Sequence, residues 1–413
     1  MPQRLALAVM IMLVFPFALA RAQDPGLGDD APPPLKVWLP APLIADESSE
    51  AYQLLGEHTG AFSERAGIGV QFRIKSAGTV GGIMATIRAG SDVAPGALPD
   101  LALIRRRDFT PTQARQYFQS METLFSSSLI NELGRALTFG QIPLDETVAL
   151  YGLPYFFDLL LAIYTPEAGE LGAAPTFDDV LASAVSFHFP AARTNGLNQT
   201  SYLQYLSAGG SRQGEVVSEI NETALQMVLE FYQALVAAGQ LSPDVLGVQS
   251  AAAYLADVSN RAQAPQLAVA HASDYLSLLE QNPALAAASI PTAGGLGASA
   301  LDGWLWVIAT PDLSRQSLAA RFLEWMMEPV FHANLSLALH HLPTQSTALT
   351  GSLPDSVDQQ FFADLLSSAI LPLPEGESGA ASRLMQEALA RVLHGEATAT
   401  AAAREAVAQF AAR

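Results

Sequence analysis

From Leu35 onward the chain switches between two spacings of apolar residues. Leu35, Val37 and Leu39 alternate with Lys36 and Trp38, the period of two expected of a strand. Within residues 47–66, Tyr52, Leu55 and Phe62 fall near helical spacing, and Gly67 and Gly69 stop that helix. Val70, Phe72 and Ile74 alternate again around Gln71 and Arg73. Residues 79–89 read as a helix with Gly81 and Gly82 near its start, and 101–104 as a strand buried on both faces. Strand, helix, strand, helix, strand predicts right-handed βαβ units and a mostly parallel sheet.

Residues 118–139 keep a helical pattern without a strand signal. A strand at 148–150 then breaks at Gly152 and Pro154, presenting Tyr155, Phe156, Phe157 and Asp158 before a second apolar run. In a two-lobed protein such a segment crosses between lobes, with its polar-tipped aromatics facing what lies between them. An ordinary buried strand–turn–helix is the alternative. Further on come a helix start at 175–179, a strand through Val185, Phe187 and Phe189, and a helix at 224–238 with Thr223 and Gln226 as capping box. Strands follow at 266–272 and 304–309, and an amphipathic helix at 314–327 stops at Pro329. Residues from 380 to the end are helical in two pieces divided near His394 and Gly395. No period of 20–50 residues repeats, which argues against a solenoid or propeller.

With 413 residues the chain is long enough for two or three domains, and it has no cysteine for disulfides, thiolate metal sites or a thiol nucleophile. Arg4, the apolar run 5–19 and Ala20-Arg21-Ala22 read as a secretory signal, 1–22, followed by a Pro/Gly/Asp tether, 23–34. The expectation is a mature protein outside the cytoplasmic membrane, not lipid-anchored. The formal charge is −19, and removing Arg4 and Arg21 with the signal makes it −21. Such a field repels phosphate backbones and anionic lipid, so neither nucleic acid nor a membrane surface is an expected partner.

Six short strings, in this order, resemble the extracellular solute-binding proteins of family 1, the sugar-binding receptors of ATP-driven importers typified by the maltose-binding kind. They are Leu98-Pro99-Asp100-Leu101, Tyr151-Gly152-Leu153-Pro154-Tyr155, the helix start 175–179, Asp302-Gly303-Trp304-Leu305-Trp306-Val307-Ile308, Ala319-Ala320-Arg321-Phe322-Leu323 and Leu342-Pro343-Thr344. The chain departs from the family at Phe177, where tryptophan is usual, at Gln345, where arginine is common, at Asp302, where glycine is usual, and in Arg105-Arg106-Arg107. The resemblance implies an α/β type II periplasmic-binding-protein fold: two lobes, 35–147 with 264–303 and 148–263 with 304–413, closing on a ligand. It also implies a monomer that captures a sugar or oligosaccharide, without cofactor or catalysis, and hands it to a membrane permease. A binding subunit that signals to a receptor is a second reading. An enzyme on the same fold is a third, although the cysteine nucleophile some of them use is missing.

Open parallel sheets bind ligands outside the carboxyl ends of their strands. Sugars need flat aromatic faces and planar polar side chains. Ser76 and Thr79 follow the second strand, and Arg105 and Asp108 the third. Trp304, after Asp302 and Gly303, is the stacking candidate, with Tyr155 and Asp158 at the crossing. His188 points opposite Phe187 and Phe189, towards cleft or solvent, and Asn198 and Tyr202 belong to a polar loop placed to reach a hydroxyl. For each a structural role competes: a core ring for Trp304 and Tyr155, a helix cap for Asp158. His340 and His341 are neighbours that point apart on a regular element, with no further ligand at metal spacing, so no metal is expected.

Overall fold

The computed structural model describes residues 32–44, 47–76, 81–144, 147–165, 171–193, 196–213, 217–259, 266–372 and 379–413. The expected signal peptide, most of the expected tether and Thr79 lie outside these residues. The strands are β1 (Leu35–Pro40), β2 (Val70–Lys75), β3 (Leu101–Arg105), β4 (Gln141–Leu144), β5 (Thr147–Leu150), β6 (Leu153–Tyr164), β7 (Ser186–His188), β8 (Gln266–His271), β9 (Ala286–Ala288), β10 (Leu301–Ile308) and β11 (Leu342–Pro343).

β1 pairs in parallel with β2 and β3, giving the expected βαβ units through the helices Glu50–Ala66 and Ile83–Gly90. Ser49 caps the first of these helices by accepting from the Tyr52 amide, and Gly67 ends it at φ 67°, in the left-handed region that favours glycine. The sheet continues β3–β10–β6–β8–β7, with β9 and β11 added to β6. It is mixed rather than mostly parallel, because β10 runs antiparallel to both β3 and β6, and β6 antiparallel to β8.

β6 is the element both lobes share. All twelve of its residues are buried. Its first half pairs with β10 and its second with β8. The break at Gly152 is real, but the strand restarts at Leu153, so Tyr155 to Asp158 lie inside it. Pro154 is tolerated because the register with β10 shifts there: Trp304 pairs with Phe156 and Leu305 with Pro154. Tyr155 is left as the extra residue of a bulge, a place where a strand can hold a proline.

The pairings divide the chain otherwise than 35–147 with 264–303 against 148–263 with 304–413. β8 joins β7 and the second half of β6, whereas Trp304 to Ile308 stay with β3. The helices Leu313–Met326 and Pro329–Ala338 also belong to the first lobe, where Phe322, Leu323 and Leu335 pack with Leu35, Val37 and Leu55. The second lobe's core gathers Phe187 and Phe189 with the helices Glu222–Ala237, Ala380–Leu393 and Ala399–Ala411. Fully burying each such Leu, Val or Phe contributes about 1.5–3 kcal/mol. The helix Glu222–Ala237 is capped by Asn221, whose side chain accepts from the Ala224 amide, and not by Thr223 with Gln226. Gln226 donates to Glu230 instead.

Candidate functional site

β3 ends at Arg105 directly beside the start of β10. The Arg105 guanidinium donates from Nε and Nη2 to Asp302 Oδ2, both at 2.8 Å. Burial opposes its charge, but Asp302, then Asp158 and Asp108, outweigh that and hold its pKa above the usual arginine value. The same guanidinium lies 5.7 Å from the centre of the Trp304 ring. Gly303 is required here: its φ is 145°, and a Cβ would stand 2.1 Å from the Phe156 carbonyl oxygen.

Asp158 faces Asp302 in register across β6 and β10. Its carboxylate accepts from the Ser273 amide at 3.0 Å and the Ser273 hydroxyl at 2.8 Å. It thus caps the helix Ala272–Leu279, which leaves the carboxyl end of β8. Asp274, in that helix's first turn, accepts from the His271 amide at 3.1 Å. Burial first, and the charge of Asp158 further, push its pKa up, against His271 and Arg105. His341 closes the floor. Its Nδ1–H donates to the Leu339 carbonyl at 2.6 Å and its Nε2 accepts from Trp304 Nε1 at 3.2 Å, which fixes the neutral tautomer. Burial accordingly holds its pKa below the ordinary value. At the end of β7, His188 packs on Tyr254, with ring centres 5.7 Å apart. Its buried Nε2 has no hydrogen-bond partner among the described residues. Burial lowers its pKa, partly countered by Asp257.

The structure brings together Asp158, Asp302, Gly303 and Trp304, with Arg105 and, at greater range, Asp108. Ser76 is exposed at the end of β2, Asp108 is exposed after β3, and His188 stands at the end of β7. Four expectations are corrected. Tyr155 is fully enclosed, donates to the Met326 carbonyl at 3.1 Å and stacks on His332, because the bulge turns it into the first lobe's core. Asn198 caps the helix Gln199–Ser207 and donates to Gln386, and Tyr202 is buried in the second lobe's core. Trp304 keeps its place at the crossing, but it is only 6% exposed and offers no open ring face. His271, Ser273, Asp274 and His341 were missed. A strand end followed by Ser-Asp at a helix start was the available signal for the first three, and none existed for His341.

Among the described residues, no helix is long and apolar enough to cross a membrane, and no group of three His, Cys, Asp or Glu is placed to hold a metal.

Two α/β half-sheets with carboxyl ends converging on one acidic and basic cluster define a two-lobed binding-protein fold. No family model matches the chain, and no curated protein matches it in sequence. In three dimensions it is similar to the cyclic alpha-maltosyl-1,6-maltose binding protein from Arthrobacter globiformis, at 17% identity and TM-score 0.66 over 91% of this chain and 98% of that one. It is similar also to the maltose-binding periplasmic protein of Listeria monocytogenes, solved with maltose, at 13% and 0.66 over 90% and 95%. A third is the extracellular solute-binding protein family 1 of Alicyclobacillus acidocaldarius, at 15% and 0.61 over 92% and 98%. At these identities the likeness is one of fold: this chain has the two-lobed α/β fold of maltose-binding proteins.

Proposed function

We propose that the protein is a carbohydrate receptor outside the cytoplasmic membrane, capturing a sugar or oligosaccharide between its lobes and passing it to the permease of an ATP-driven importer. The observation that carries this reading is the crossing at β6, where Arg105 and Asp302 of one lobe and Asp158 on the shared strand meet His271, Ser273 and Asp274 of the other. Carboxylates and a guanidinium supply the fixed acceptors and donors that hydroxyl pairs require. Asp158, Asp302 and Arg105 form the floor in this reading. Ser76 and Asp108 line the rim from the first lobe and His188 from the second, while Gly303 lets β10 pass close to β6. Trp304 orients the floor through His341 and Arg105 and does not serve as a platform. A ligand touching both lobes stabilises the closed arrangement by its differential affinity for it. The work is binding and release, as in the fold's sugar-bound neighbours, which fits a non-enzyme.

Calorimetry against mono- and oligosaccharides tests this. Sub-millimolar binding of at least one sugar is expected, weakened at least tenfold by Asp158→Asn. A flat response across the panel overturns the reading.

A further inference from the structure

A cavity of about 670 Å³ lies in the first lobe, lined by the last turns of the helices Glu50–Ala66 and Leu313–Met326 and by the helix Ser127–Leu133. Phe62 and Arg65 line it, at the end of a βαβ helix that runs antiparallel to its strands. They therefore sit at the amino ends of β1 and β2, the side away from the strand ends that converge at β6. None of the cleft residues named above lines the cavity. Its volume falls in the range of roughly 300–1,000 Å³ seen for small-molecule sites.

Its lining has two flat rings, those of Phe62 and Trp325, and several planar polar groups. Trp325 is half-buried, fixed by its Nε1–H donating to the His58 carbonyl at 3.0 Å and by stacking on the His58 ring. Glu324 accepts from the Ser126 amide through Oε1 at 2.6 Å, and Glu132 accepts from the Thr347 amide and hydroxyl, also through Oε1. Each is anchored by one oxygen while the other has no protein partner among the described residues. Arg65 and Arg321 stand at the same cavity, exposed, in no ion pair among those residues, with the Arg65 guanidinium 5.8 Å from the centre of the Trp325 ring.

The inner wall includes Gln345, only 3% exposed. Its carboxamide lies 2.8 Å from His332 Nδ1, while His332 Nε2 lies 2.6 Å from the Tyr155 carbonyl on β6. That carbonyl can only accept, so a neutral imidazole carries its proton on Nε2 and needs a donor at Nδ1. The amide group of Gln345 supplies it, since its oxygen and nitrogen exchange by a half-turn. Its oxygen then turns away from His332.

We propose that this cavity is a second carbohydrate site, one that takes a neutral pyranose ring against Trp325. The free oxygens of Glu132 and Glu324 accept from its hydroxyls and the Arg65 and Arg321 guanidinium groups donate to them. Charges of both signs interleave around the ring, so any strongly charged ligand meets like charge, whereas a polyhydroxylated neutral one uses both. A saccharide held here is independent of one captured at β6.

The four tryptophans of the chain give four indole N–H signals in nuclear magnetic resonance, and Trp325→Phe identifies one of them. Titration with glucose, galactose, mannose and maltose is expected to shift the Trp325 signal saturably, in the wild type and equally in the cleft variant Asp158→Asn. The exposed-side pair Glu132→Gln with Arg321→Gln, which leaves the ring in place, is expected to weaken that shift at least tenfold. A Trp325 signal that no sugar moves overturns the proposal, as does a shift the paired variant leaves unchanged. A shift at Trp325 with no binding at the β6 crossing supports this site and removes the cleft reading.

Discussion

Asp158 and Asp302 stand opposite one another in register across β6 and β10, yet their carboxylates serve different lobes. Asp302 holds Arg105 at the end of β3, and Asp158 holds the amino end of the helix that follows β8. The two lobes are thereby joined by adjacent carboxylates with separate partners. Removing Asp302 leaves a guanidinium that is only 23% exposed without its counter-charge. Asp302→Ala is expected to cost about 2–3 kcal/mol, and the further change Arg105→Ala to restore part of it, since an uncompensated charge is worse than none. Urea unfolding of both single variants and the double variant measures this. Strict additivity would show that the pair is not coupled.

Gly303 gives a sharper prediction. A methyl group there would meet the Phe156 carbonyl oxygen, a backbone atom that cannot move without disturbing β6. Gly303→Ala is expected to destabilise by about 3 kcal/mol or more, from the clash and the positive φ together. Calorimetric melting checks it, and a midpoint within a degree of wild type refutes it.

The first lobe's βαβ order was legible because β1, β2 and β3 carry clean periods and Gly67 marks the helix end. The crossing was legible as a place but not as a geometry. The sequence signals a break at Gly152 and Pro154, and nothing local shows that Tyr155 becomes the extra residue of a bulge pointing into the core. The lobe boundaries failed for a related reason. β8 and β10 are both short apolar runs, and which neighbours they choose depends on long-range pairing. Asn198 was singled out for its polarity, but a polar residue before a helix caps it more readily than it meets a ligand.

Asp100, in the Leu98-Pro99-Asp100-Leu101 string, has a structural role. It is 5% exposed, accepts from the Lys36 amide at 2.8 Å and is paired with the Arg315 guanidinium. This ties β1 and the start of β3 to the helix Leu313–Met326 at the lobe's amino-end side. Asp100→Ala is expected to cost about 3 kcal/mol, with sugar affinity unchanged once the variant is folded. Paired unfolding and calorimetric binding curves test both halves; a loss of affinity without loss of stability contradicts the assignment.

His332 makes the fold sensitive to acid. It is completely buried, stacks on Tyr155 with ring centres 4.6 Å apart and bonds to the Tyr155 carbonyl that the bulge leaves free. Burial lowers its pKa from 6.5 to about 4, against the raising effect of its bond to the Tyr155 carbonyl. The folded protein therefore holds the imidazole neutral while the unfolded chain binds a proton on it near pH 6.5. Its contribution is fully present above that value and is lost as pH falls towards 4, because the unfolded state gains the proton first. The shift corresponds to about 3 kcal/mol between the two limits. In urea unfolding at pH 7.5 and 4.5, wild type is expected to lose more stability than His332→Gln, which cannot titrate. Carboxylates titrate alike in both proteins, so the difference between the two losses isolates the imidazole. Equal losses would mean that this histidine is already protonated in the folded core.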